Sequence, residues 1–83
     1  MIVIDDYKEG IVYAGRTMAD LTSHFIPDEL MEKVKSFVDT NGLPSKPKHF
    51  MEDGLDFYLS VIDDNKLLKY MSDRNCDNFI YGV

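Results

Sequence analysis

The sequence predicts an α+β fold. It reads as one small compact domain over residues 1–83, with two layers, an N-terminal β-hairpin, one short and one longer helix, and a C-terminal antiparallel or mixed β-sheet portion. Three observations carry that expectation. Ile2, Val3 and Ile4 crowd the start with branched residues, and "IVYA" repeats the theme at 11–14. A strongly periodic apolar stripe then runs through residues 26–38. Aromatic and branched residues return in "LDFYLSVI" and "NFIYGV" after a proline-rich interruption. Helices laid on one face of a single twisted sheet enclose one core in such an arrangement.

Taken in order, the first two runs make a hairpin. "YKEG" turns the chain between them, and Gly10 is free to adopt positive φ. Strands this short need a covering element. Thr17 opens a short helix, because its hydroxyl can accept a first-turn amide while Asp20 three residues on approximates a capping box. Met18, Leu21 and Phe25 lie on one side, and Pro27 ends the segment by restricting Ile26 and lacking an amide donor.

Residues 27–40 form the clearest helix. Proline fits its first turn, and Asp28 and Glu29 place negative charge beside unpaired amides. Ile26, Leu30, Val34, Phe37 and Val38 make the stripe, with Met31 beside it, and Glu29 can meet Lys33 on the polar side. Asn41-Gly42 stops the helix and Pro44 discourages its continuation. "LPSKPKHF" then reads as a surface connection carrying a small basic cluster of Lys46, Lys48 and His49.

The second half has two competing periods. Leu55, Tyr58, Leu59 and Ile62 can share a helical face, whereas Phe57, Leu59 and Val61 alternate as a strand does. Branched and aromatic content favours the strand. Asp63-Asp64-Asn65 reads as the bend of a hairpin, with residues 67–71 returning antiparallel and "NFIYGV" adding a last strand. A mainly helical second half is the alternative.

Function is far less legible. Fifteen acidic and nine basic residues give a formal charge of -6, which repels nucleic acid and anionic membrane and favours a basic protein surface. A single cysteine, Cys76, excludes an intrachain disulfide. The amino-terminal stretch lacks the basic segment and long apolar run of a signal peptide, so a cytoplasmic protein of a cell or infected host is expected. In size and charge the chain resembles small acidic inhibitors of phages and mobile elements, an analogy of composition alone.

No catalytic or cofactor-binding signature is present, and no enzyme is expected. Asp73, Asn75 and Asp77 have the ligand types that open a calcium loop, yet Cys76 stands where its glycine belongs and the closing Glu would fall beyond Val83. His24, His49 and Cys76 have no local pattern that would gather them around zinc, and His24 fits a helix-end role better. No metal or cofactor is therefore expected.

The leading expectation is an acidic protein-binding regulator or inhibitor that occupies a basic, nucleic-acid-binding surface of its partner. Candidate contact residues are Asp5, Asp6, Glu9, Asp63, Asp64, Asp73 and Asp77, with Tyr7, Tyr58 and Tyr81 supplying apolar area. The second expectation is an assembly accessory forming a homodimer through strand edges or the amphipathic helix. A metal-binding module or small enzyme is third.

Overall fold

The chain order in the computed structural model is β1 (Ile2–Asp6), β2 (Ile11–Gly15), α1 (Met18–Thr22), α2 (Asp28–Asn41), β3 (Lys48–Glu52), β4 (Leu55–Val61), α3 (Asp64–Arg74) and β5 (Asn78–Gly82). Residues 1–22, 25–76 and 78–82 are described. His24 and Asp77 lie outside them, and so does the last residue of the "NFIYGV" run. The α+β class, the N-terminal hairpin and the short and longer helices stand as the sequence predicts.

The five strands form one mixed sheet in the order β3-β4-β1-β2-β5. β1 is antiparallel to both β2 and β4, while β5 runs parallel to β2. The central position of β1 explains its composition. All five of its residues are buried, so the continuous run Ile2-Val3-Ile4 serves both faces. Alternation sends Ile2 and Ile4 to one side and Val3 and Asp5 to the other.

α2 covers the first side. Ile26, Leu30, Met31 and Val34 pack with Ile2, Ile4, Tyr13, Phe57 and Leu59 in one buried cluster, which Leu21 of α1 joins. α1 starts with the reciprocal bonds its sequence implies. Asp20 N–H donates to Thr17 Oγ1 at 3.1 Å, and Thr17 N–H donates to Asp20 Oδ2 at 3.1 Å. Phe25 does not join the cluster; it is 90% exposed beyond the end of α1.

Three expectations are corrected. Residues 67–71 are helical, not a returning strand, and Asp63-Asp64-Asn65 begins a helix instead of bending a hairpin. The reason is the spacing Leu67, Tyr70, Met71, Arg74, which lines one side of a helix: the first three pack with Val3, Val12 and Ala14, and Arg74 reaches Asp5. Asn75 then takes the left-handed conformation at φ 50° and its N–H caps the Met71 carbonyl. The second correction follows. α3 lies on the sheet face opposite α2, so helices flank both faces and the two-layer expectation becomes three layers.

The third correction concerns the basic connection. Lys48, His49 and Phe50 belong to β3, which hairpins into β4 through Asp53 and Gly54. Both turn residues have positive φ, 51° and 79°, as a two-residue turn between right-twisted strands requires. Among the described residues, no helix is long and apolar enough to cross a membrane.

Candidate partner-binding face

Both two-stranded turns, β1–β2 and β3–β4, project from the same end of the sheet, because β1 ends where β4 begins. The amino terminus of α2 arrives beside them. The β1–β2 turn is shaped by Asp6, whose Oδ1 accepts the N–H groups of Lys8 and Glu9 while its carbonyl accepts Gly10 N–H. One cleft of about 200 Å³ is lined by Asp6, Glu9, Asp28 and Glu29 with Lys8. A second, of about 240 Å³, shares Glu29 and Leu55 with it and adds Glu32, Asp53 and Lys33.

Carboxylates dominate this end. Lys33 Nζ is already held by Asp53 Oδ2 at 2.6 Å and Glu52 Oε1 at 3.3 Å, and those two hydrogen bonds raise its pKa above the usual lysine value. Glu9, Asp28, Glu29, Glu32, Glu52 and Asp53 are exposed there. Like charges gathered on one solvated surface create a field that a scattered set of the same size does not.

A second feature adjoins it on the α3 face. Tyr7, at the end of β1, lies 4.6 Å from Tyr58, and Tyr58 stacks on His49 at 4.4 Å with 9° between the planes. His49 Nε2 also contacts Asp56 Oδ1. The Arg74 guanidinium sits 4.1 Å over the Tyr7 ring, and a shallow recess of about 380 Å³ opens between Tyr7, Tyr70, Asp73 and Arg74. These rings form a half-exposed aromatic shelf beside the acidic end.

The residues expected to recognise a partner are thus divided. Glu9 belongs to the acidic end, Tyr7 and Tyr58 to the shelf, and exposed Asp73 to the recess beside it. Asp6 is buried and shapes a turn. Asp5 is not a surface group at all. It is fully buried, and its Oδ2 accepts Tyr70 Oη at 2.8 Å and Arg74 Nε at 2.6 Å. Burial, then the Asp5 hydrogen bond and charge, push the Tyr70 phenol far above its ordinary pKa. Tyr7 is raised too, chiefly by burial and then by Asp5.

Asp63 and Asp64 are exposed but stand at the other end of the sheet, where Met1 and Ile62 exchange backbone hydrogen bonds. Lys66 Nζ lies 3.9 Å from Asp63 Oδ2. Tyr81 lies on the far strand, β5, near Phe79. Asp77 is outside the described residues.

Sequence reading did not single out Asp28, Glu29, Glu32, Glu52 and Asp53, the carboxylates gathered at this end. Two of them were visible only as charges suited to a helix start. Asp53-Gly54, however, is a strong hairpin signal that places Glu52 and Asp53 at a turn, and the pairing of β1 with β4 then brings that turn to the same end as Glu9. Among the described residues, no three His, Cys, Asp or Glu side chains gather to hold a metal ion. The chain matches no protein-family model, no curated protein and no solved structure.

Proposed function

We propose that the protein is a small acidic binding regulator that covers a Lys- and Arg-rich surface of a partner protein, of the kind that otherwise engages nucleic acid. One observation carries the reading. Five exposed carboxylates, Glu9, Asp28, Glu29, Glu32 and Asp53, line two adjoining clefts, Glu52 stands beside them on Lys33, and Lys8 and Lys33 are the only cations lining those clefts among the described residues. A cationic surface meeting this end gains charge-assisted hydrogen bonds and an electrostatically steered encounter. The neighbouring Tyr7–Tyr58–His49 shelf supplies the apolar and aromatic area that anchors such an interface.

The test is capture of a partner from cell extract by the immobilised chain, repeated from about 0.05 to about 0.5 M salt. Glu29→Lys combined with Glu32→Lys is expected to abolish capture. Asp63→Lys combined with Asp64→Lys, at the opposite end, is expected to leave it intact. A partner held equally at every salt concentration, or indifferent to the first pair of changes, sinks the reading.

A further inference from the structure

We propose that the free edge of β3 pairs with the same edge of a second copy of this chain, antiparallel and centred on Phe50, joining two five-stranded sheets into one. β3 ends the strand order, so one of its sides has no strand beside it among the described residues. Which backbone groups face that side is fixed by the neighbouring ladder. Tyr7 N–H donates to the Asp56 carbonyl, so Asp56 turns its backbone groups toward β1. Met51 stands opposite Asp56. Its own N–H and C=O therefore point outward, as do those of His49 two residues earlier.

Two copies can join these outward groups in registers centred on His49, Phe50 or Met51. The Phe50 register is the one that matches the side chains. It sets His49 of each copy against Met51 of the other, giving four backbone hydrogen bonds, and it sets Lys48 against Glu52 twice. The other two registers place Lys48 or Glu52 opposite Phe50. Centring on His49 also brings Pro47, which has no N–H, into the ladder.

The side chains are already arranged for this pairing. Lys48, Phe50 and Glu52 share the α2 face. Lys48 Nζ hangs over the Phe37 and Phe50 rings at 5.1 and 5.8 Å, and Phe37 meets Phe50 edge-on at 4.2 Å. Across the dyad the two Phe50 rings become neighbours between a pair of Lys–Glu contacts. On the other face Met51, 74% exposed, comes beside His49 of the second copy and continues the aromatic shelf. The opposite sheet edge has no such code. Self-pairing of β5 sets Asn78 against Gly82 and Phe79 against Tyr81, with no opposite charges to fix a register.

Sedimentation of the full chain over a concentration series tests the pairing. Wild-type protein is expected to pass from monomer to dimer. Lys48→Glu and Glu52→Lys should each weaken the dimer at least about tenfold, because each sets like charges opposite one another twice. Mixing the two variants in equal amounts should restore dimer, since every carboxylate at these positions then faces a lysine. Far-ultraviolet circular dichroism checks that both variants keep the fold. A chain that stays monomeric at every concentration, single variants that dimerise like wild type, or a mixture that fails to recover dimer each overturns the proposal.

Discussion

The two faces of the sheet are held by different physics. Under α2 lies a cluster of ten buried hydrophobic residues, from Ile2 to Leu59, among the described residues. Under α3 only Val3, Val12, Ala14 and Leu67 are buried apolar residues among the described residues, and the helix is anchored by Asp5 to Tyr70 and Arg74. An apolar face tolerates graded change, because area is lost in proportion to what is removed. An ionic anchor does not. Removing Arg74 leaves the Asp5 carboxylate in the interior with only the Tyr70 hydroxyl to offset its lost hydration. The lesson is that the smaller face is the more brittle one.

That comparison is broken or sharpened by four measurements, the largest effect first. Arg74→Met keeps an apolar stem but strands Asp5, and is expected to destabilise by about 3–5 kcal/mol in urea unfolding near neutral pH. Replacing Asp5 by Leu in the same chain should recover most of that loss, as swapping a buried pair for apolar groups often does. A cost below about 1 kcal/mol for Arg74→Met would place the α3 face on the same footing as the other.

Leu30→Ala, on the α2 face, should cost about 2–4 kcal/mol, within the range for truncating a fully buried leucine. Here no second change restores the loss by charge removal, and an effect near zero would mean that α2 can collapse into the space.

Alkaline pH separates the faces without mutation. The pKa of Tyr70 is raised in the fold, so its contribution is complete below the unfolded tyrosine value of 10.0 and is lost as pH climbs toward the folded value. The unfolding midpoint should therefore fall above about pH 10, and Tyr70→Phe should flatten that fall. Tyr13, raised by burial and then by Asp6 and Glu9, contributes in the same direction from the α2 side. An equally steep fall in Tyr70→Phe would assign the alkaline loss to the other raised phenols, Tyr7 and Tyr13, instead. The smallest effect is expected at the rim: Thr17→Ala removes the α1 cap and should cost about 1 kcal/mol or less.

How much of this was legible depends on whether the signal is local. The β1–β2 hairpin, the Thr17–Asp20 cap and α2 could be read because turn chemistry, capping and a helical stripe all act within a few residues. α3 was also written locally, in Leu67, Tyr70, Met71 and Arg74 with Asn75 after them. It was misread because Asp63-Asp64-Asn65 suits a turn as well as a helix start. β3 was hidden by Pro44 and Pro47, which mark a loop up to Lys48 and no further.

The candidate site was legible only in its raw material. The sequence by itself determined a net charge of -6, an apolar first strand, and which stretches favour helix or strand, because those follow from side-chain chemistry and short-range geometry. Tertiary structure alone decided that Asp5 is an internal anchor while Glu9 joins Asp28, Glu29, Glu32, Glu52 and Asp53 at one end. Strand order and the choice of sheet face bring residues tens of positions apart together. They depend on how the elements pack as a whole, which no short window of sequence encodes.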